Sequence, residues 1–179
     1  MDLHALVIPT YVQMLKGLGN QLTKAEAFAG ETGLSTEDLL GARLAPDMFP
    51  LATQVRLVCT QASDVLRHLT GADSFAPAED ATDFDGLRAQ LADAAQRIQA
   101  TPASAFEGVA EKTIELKLPN GIVFDMTGES FARDWALPQF YFHLMAAYAI
   151  LRHKGVALGK PDWVSHMFAY IRPGTFPGG

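Results

Sequence analysis

The apolar residues near the start of the chain recur at the spacing of one face of a helix. They are Val7, Tyr11, Met14 and Leu18, at alternating steps of four and three. This pattern predicts a helix from about Leu3 to Leu22, with a start or a kink at Pro9. Thr23–Glu26 then has the form of a capping box and predicts a separate short helix, which Gly30 and Gly33 end.

A second long amphipathic pattern predicts a helix from about Met48 to Leu69, capped by Asp47. Its core stripe consists of Leu51, Val55, Val58, Ala62, Val65 and Leu69. Before it, Ser35 is placed to cap one or two helical turns. Gln54, Gln61 and His68 follow one flank of the stripe at intervals of seven residues. The bundle interior should meet a cavity or solvent along that flank.

The rest of the chain predicts a third long helix, a hairpin and a fourth long helix. The third helix runs from about Phe84 to Ala100, capped by Asp83. Two short runs between Thr113 and Met126 flank an Asn-Gly pair, which favours a β-hairpin that leans on the bundle. The last helix runs from about 129–133 to His153 and ends at Gly155, with a break expected at Pro138.

Length and composition indicate one soluble domain over residues 1–179, with residues 160–179 forming a tail that is packed on the bundle or partly ordered. The chain has 179 residues, of which 49% are apolar, and a formal charge of -6, which gives no reason to expect a nucleic-acid partner. A single cysteine and an N-terminus without a secretory signal predict a cytoplasmic location. The stretch Leu137–Leu151 is shorter than the roughly 20 residues of a membrane span and indicates a core helix rather than a membrane partner.

Candidate chemistry centres on His143, which faces inward on the last helix. Small or apolar residues and one glutamine share its face: Gln139, Ala146, Ala147 and Ile150. Such a histidine is either a hydrogen-bonded core residue or a ligand. The sequence has no HxxxH, HExxH or CxxC pair, so a metal site would need His4 or another distant residue to converge on it.

Other reactive residues suggest little chemistry. His68 and His166 are predicted at the surface or near a terminus, and Cys59 is predicted to be an inert, packed thiol. Phosphate loops, nucleophile elbows and paired carboxylates are missing from the sequence. Aromatic residues gather near the last helix, namely Phe131, Trp135, Phe140, Tyr141 and Phe142. They form either core packing or a pocket for a small organic ligand, in which Gln54, Gln139 and His143 are the polar groups.

Several stretches together resemble a known family. They are Lys24-Ala25-Glu26-Ala27, Leu44-Ala45-Pro46-Asp47-Met48-Phe49-Pro50-Leu51, Phe140-Tyr141-Phe142-His143 and Ala147-Tyr148-Ala149-Ile150-Leu151-Arg152-His153-Lys154-Gly155-Val156. Over about Met1 to Trp163, the chain resembles an uncharacterised bacterial branch, a domain of unknown function, of the DinB/YfiT-like metalloenzyme superfamily. The resemblance implies an all-α, up-down-down-up four-helix bundle that is often dimeric. The short additional helix and the hairpin complete this expected fold.

The resemblance also implies a site. Metal-binding members hold a divalent ion with one histidine on the second long helix and an HxxxH pair on the last. Aligning Leu151-Arg152-x-x-Gly155 with that pattern places the second histidine of the pair at His143, the first at Gln139, and the remaining ligand near Gln54. Because glutamine is a weak neutral ligand, we expect no cofactor, or at most a divalent ion such as zinc or nickel held by His143.

Three functional hypotheses follow. The first is a homodimeric protein that lacks a full metal triad and binds an unidentified small molecule near His143. The second is a metal-dependent transferase or hydrolase that uses a thiol, because relatives include thiol-dependent transferases and enzymes similar to maleylpyruvate isomerase. The third is a structural module for assembly.

Overall fold

The computed structural model describes residues 2–175. Its four long helices are α1 (Leu3–Thr32), α3 (Leu51–Thr70), α4 (Phe84–Ala100) and α6 (Leu137–His153), with the short helix α2 (Thr36–Leu40) after the first. α1 packs on α4, α4 on α3, α3 on α6, and α6 on α1. The long helices therefore close a four-sided bundle, and the predicted mainly helical fold is confirmed.

Contacts between helix ends fix the helix directions. His4, at the start of α1, contacts Thr101 after the end of α4, and Arg88, near the start of α4, pairs with Glu26 in α1. These two helices are antiparallel. The loop 71–83 returns along α3, because Asp80 just before α4 bonds Thr53 near the start of α3. α3 and α4 are therefore parallel. Phe131, just before α6, contacts His68 near the end of α3, and His143 within α6 contacts Gln54 near the start of α3, so α6 is antiparallel to α3 and the order is up-down-down-up.

One continuous apolar core lies between the long helices. Its largest fully buried side chains are Tyr11, Phe131, Phe140, Leu15, Leu18, Leu22, Leu39, Leu51, Leu69, Leu87, Ile98 and Leu144. The stripe predicted for α3 is buried throughout, from Leu51 to Leu69. The repeat of three and four residues in the sequence thus matches the face that each helix buries.

The first helix is longer than the sequence predicted. Asp2 is the N-cap of α1, because its carboxylate accepts a hydrogen bond from the amide of Ala5. The helix then continues from Leu3 through Pro9 to Thr32. The separate helix predicted at Thr23 is wrong. The Thr23 hydroxyl donates to the carbonyl of Gly19 within the same helix, so it does not cap a new one.

Helix caps were predicted with mixed success. Ser35 and Asp83 accept amide hydrogen bonds from Asp38 and Gly86, so both predicted caps are confirmed. The prediction for Asp47 is wrong, because α3 begins three residues later than expected and Pro50 occupies its N-cap without a side-chain cap. Proline suits a helix start because the first helical amides have no partner within the helix.

The hairpin consists of β1 (Thr113–Lys117) and β2 (Val123–Thr127), paired antiparallel with Glu115 opposite Asp125. Its turn uses a positive φ of 85° at Gly121. On β1, Ile114 and Leu116 are buried while their neighbours are exposed. The hairpin therefore leans on the bundle, as predicted, through this face of β1 and through Met126 of β2, which packs against the core.

The segment before α6 is continuous helix with a change of pitch. α5 (Gly128–Ser130) leads into a π-helical segment, Phe131–Ala136, and then directly into α6. The amide of Leu137 bonds the carbonyl of Ala132, five residues back. The break predicted at Pro138 is therefore wrong, because the helix continues through this residue. It has no amide hydrogen to donate, and the wider π turns lie immediately before it.

The tail packs along α1 as far as the structure describes it. α7 (Lys160–Trp163) places Asp162 beside Lys24, and the Trp163 ring lies edge-on to Tyr148 with their centroids 5.6 Å apart. A 3-10 turn, Ser165–Tyr170, follows. The last four residues of the predicted tail lie outside the described residues. Among the described helices, none combines the length and the apolar content that membrane crossing requires.

Candidate functional site

The candidate site lies where the first turn of α3 faces the middle of α6. Gln54 and His143 are both buried, with 1% and 8% of their surfaces exposed. The Nδ1 atom of His143 is 2.9 Å from Oε1 of Gln54. The packing of α3 on α6 thus brings together two of the three predicted site residues, although they are 89 residues apart in the sequence.

The hydrogen bonds define which imidazole nitrogen carries the proton. The Gln54 amide nitrogen donates to the carbonyl of Phe49 at 3.3 Å, so its oxygen faces the histidine. An amide oxygen only accepts, and Nδ1 of His143 must therefore donate. The remaining nitrogen, Nε2, has a free lone pair.

Burial also keeps this imidazole neutral. Desolvation lowers the pKa of His143, because the charged form loses water without gaining a counter-charge. Nε2 has no hydrogen-bond partner among the described residues and does not belong to the buried unpartnered atoms, so it reaches solvent. The site presents one neutral hydrogen-bond acceptor at an otherwise closed helix interface.

Exposed apolar side chains lie on α6 and just before α3, and Phe142 is the one in contact with the imidazole. Phe142 and Met145 on α6 are 61% and 49% exposed, and Phe49, just before α3, is 57% exposed. The Phe142 ring lies edge-on to the His143 imidazole, with centroids 5.3 Å apart. Gln139, one helical turn before His143, is half-buried, and its side chain forms no hydrogen bond with the described residues.

The donor set does not fit a metal ion. Zinc and nickel sites need several imidazole, thiolate or carboxylate ligands at about 2 Å from the ion. Here one imidazole faces two neutral amides, and the oxygen of Gln54 already accepts from His143. Within residues 2–175, no group of three or more His, Cys, Asp or Glu side chains is placed to hold a metal.

The other histidines do not complete the site. Nε2 of His4 lies 3.3 Å from the carbonyl of Thr101, at the end of α4. His68 is fourteen residues beyond Gln54 on α3, which corresponds to about 21 Å along a helix. His166 lies in the tail beyond α7. The convergence of His4 with His143 is therefore not observed.

The aromatic residues near the last helix separate into two groups. Phe140 stacks on Tyr11 in the core with ring centroids 4.0 Å apart, and Phe142 is the one beside His143. Phe131 instead contacts His68 near the far end of α3. The aromatic residues that the sequence offered either as core packing or as a pocket thus lie in two regions, and Phe131 and Phe140 are core residues. The spacing of Gln61 and His68 was the sequence signal for the second region.

Cys59 is fully buried, and burial followed by the charge of Asp93 raises its pKa to about 12. It has no thiolate near neutral pH, which agrees with the predicted inert thiol. Tyr11 was not considered as a functional group. Its hydroxyl is buried without a hydrogen-bond partner in the described part of the chain, and its pKa is raised by burial and by the nearby Tyr141 and Asp64.

Comparisons with known proteins agree with this architecture. Residues 3–164 match the family model described as a domain of unknown function, DUF1993. A solved structure, described as a DinB family member protein from Shewanella denitrificans, is 34% identical and superposes with a TM-score of 0.82. The match covers 98% of this chain and 96% of that one. The search of curated proteins found no match. The chain belongs to the DUF1993 family and shares the fold of a DinB family member.

Proposed function

We propose that the protein binds a small organic molecule at His143, using Nε2 as a hydrogen-bond acceptor. The observation that carries this proposal is the hydrogen bond from Nδ1 of His143 to Gln54, which fixes the tautomer and leaves Nε2 unprotonated. A ligand with a hydroxyl or N–H group would donate to Nε2. Its apolar part would contact Phe142, whose exposed ring lies edge-on to the imidazole, and Phe49, whose carbonyl accepts from Gln54.

The arrangement favours binding over catalysis. A general base needs a partner that stabilises its protonated form, as the carboxylate does in a catalytic triad. Gln54 is neutral, and burial of His143 opposes protonation. His143 is therefore suited to accept a hydrogen bond, and less suited to remove a proton.

The metal-dependent transferase or hydrolase is the second candidate. Its supporting observation is the orientation of His143, because metal-binding histidines usually donate their other N–H to an oxygen in the same way. The poor donor set argues against it. We expect dialysed protein to retain no stoichiometric zinc or nickel. Retention by the wild type but not by His143→Ala would support a metal site and contradict the binding proposal.

The binding proposal can be tested with 4-fluorophenol, which combines a ring with one hydroxyl donor. We expect saturable binding by fluorine NMR, and a change in the imidazole nitrogen resonances of His143. The variant His143→Asn should abolish binding, while His153→Asn, at the exposed end of α6, should not. Fluorobenzene, which has no donor, should bind weakly. Equal binding by fluorobenzene, or by the His143→Asn variant, would contradict the proposal.

Homodimerisation, a cytoplasmic location and the alternative of an assembly module remain predictions from the sequence. Exposed apolar residues on α6 make a second copy of the chain one further occupant to test near His143. Analytical sedimentation of the wild type and of Met145→Glu would measure the oligomeric state directly. A monomeric wild type would contradict both the dimer and the assembly module.

A further inference from the structure

A second candidate site lies at the opposite end of the α3 face that contains Gln54. A cavity of about 410 Å³ opens between the C-terminal half of α3, residues 115–118 of the hairpin and the π-helical segment. This volume falls within the range of about 300–1,000 Å³ that is typical of small-molecule sites. Neither Gln54 nor His143 lines the cavity.

One wall is a connected group of polar side chains on α3. Both Nε and Nη2 of Arg67 lie 3.1 Å from one oxygen of Asp64. Nη2 also lies 2.7 Å from Nε2 of His68. A guanidinium group only donates, so Nε2 of His68 accepts and the proton of the neutral ring is on Nδ1. Burial, together with Arg67 and Lys112, lowers the pKa of His68, which keeps the ring neutral.

Two donors of this wall therefore remain available. Nδ1–H of His68 and the Nη1 group of Arg67 have no hydrogen-bond partner among the described residues. The acidic groups nearby are already paired, Asp64 with Arg67 and Glu115 with Lys117. The other polar side chain of α3 at the cavity is the neutral amide of Gln61, and the second oxygen of Asp64 stays beside Arg67. Among the free groups, the Arg67 cation and the neutral N–H of His68 are the ones that suit an anionic acceptor.

The opposite wall is aromatic. Phe131 and Trp135 line the cavity from the π-helical segment, and the Phe131 ring lies 4.9 Å from the His68 imidazole. Trp135 is half-buried and contacts Phe124 of β2 at 5.9 Å between ring centroids. Phe131 is almost fully buried and forms the floor of the cavity, whereas Trp135 presents more of its ring. A flat ligand can pack against Trp135 at little entropic cost, because that ring is already held by Phe124.

We propose that this cavity binds small aromatic carboxylates. The ring would pack against Trp135, above the buried Phe131, and the carboxylate would accept from Arg67 and His68. Arginine suits this role because its planar fork matches the two oxygens of a carboxylate. The proposal does not depend on ligand binding at His143, since the two sites use different residues.

The test uses 4-fluorobenzoate as the probe, with fluorine NMR and the fluorescence of Trp135. The second tryptophan, Trp163, lies in the tail, so Trp163→Phe isolates the Trp135 signal. We expect saturable binding that quenches this signal, and about tenfold weaker binding in Arg67→Gln, the usual effect of losing a hydrogen bond to a charged group. Trp135→Leu should weaken binding while circular dichroism shows an unchanged fold.

Arg97→Gln is the matched control. Like Arg67, Arg97 is half-exposed and pairs with an aspartate of its own helix, here Asp93 on α4, far from the lining of this cavity. It should bind the probe like the wild type. Equal loss in Arg97→Gln and Arg67→Gln would show a general charge effect and overturn the proposal. Equal or tighter binding of 4-fluorobenzylamine would also overturn it, since an ammonium group would then be preferred over a carboxylate.

Discussion

A histidine lies at each end of the contact between α3 and the last helical segment, His143 on α6 and His68 on α3, in opposite surroundings. At one end, His143 is 8% exposed and bonds the neutral Gln54 in a closed interface between α3 and α6. At the other end, His68 is less buried, accepts from the charged Arg67, and borders a cavity. Regular α-helix packs against α3 beside Gln54, whereas the π-helical segment and the hairpin border α3 beside His68.

The difference shows how backbone pitch and neighbouring elements determine what a histidine can do. Two regular helices with small residues at their contact approach closely and leave space for one buried hydrogen bond. The wider π turns and the hairpin that leans on the bundle leave an open space at the other end. Each histidine is neutral, but different nitrogens are free: Nε2 at His143 and Nδ1–H at His68.

The largest expected effect is on the structure that forms the open end. Gly128 joins β2 to α5, and a Cβ atom there would lie 2.0 Å from the carbonyl oxygen of Val109. Gly128→Ala should therefore lower the free energy of unfolding by about 3 kcal/mol, the upper end of the usual range for overpacking. Urea denaturation would measure this effect.

The control for that substitution is Gly30→Ala in α1, where an added Cβ meets no atom within 4 Å. Alanine is the better helix former, so this variant should be more stable than the wild type by about 0.5–1 kcal/mol. If Gly128→Ala and Gly30→Ala had similar stabilities, the junction would not be as closely packed as the structure shows.

An intermediate effect on the free energy of unfolding is expected at the closed interface around Gln54 and His143. Gln54→Leu removes the acceptor of a buried imidazole N–H and should lower the free energy of unfolding by about 1–3 kcal/mol. The matching change at the open end, Arg67→Gln, breaks an ion pair whose partners are 45% and 34% exposed, and should cost less than about 1 kcal/mol. Thermal or urea denaturation would compare them. A larger loss in Arg67→Gln would reverse the contrast between the two ends.

The smallest expected effect is a dependence of stability on pH. Burial lowers the pKa of His143 below the ordinary value of 6.5, and burial lowers that of His68 as well. The unfolded chain therefore takes up protons before the folded one. Stability should be constant above 6.5 and fall as the pH drops toward the lowered pKa values.

NMR titration of the imidazole protons, with urea denaturation at the same pH values, would measure this dependence. His68→Gln should remove the part of the pH dependence that comes from His68 and leave the part that comes from His143. A stability that rises as the pH falls below 6.5 would mean that at least one histidine gains an unrecognised acidic partner in the fold.

Much of the fold follows from local sequence patterns. The stripes of α3 and α4, the caps at Ser35 and Asp83, and the hairpin around Gly121 each depend on residues close together in the chain. Errors arose where two local signals competed. The Thr23–Glu26 pattern looked like a helix start, yet α1 continues through it because Leu22 and Ala25 lie on its buried face.

The site was only partly accessible to sequence reasoning. The helical face and the family resemblance selected His143 and Gln54, and these residues are in contact. Their hydrogen bond, and with it the free Nε2, depends on how two distant helices pack. The Asp64–Arg67–His68 group lies within one helix turn of the sequence, but its cavity requires the hairpin and the π-helical segment.

The sequence by itself determined which faces of the helices are buried, because helical periodicity is a property of neighbouring residues. It also determined the poor metal donor set, because side-chain chemistry does not depend on folding. Only the tertiary structure decided which imidazole nitrogen is available at His143, since the partner that fixes its tautomer comes from another helix. It likewise decided where a cavity opens, because that depends on how closely elements distant in the chain approach one another.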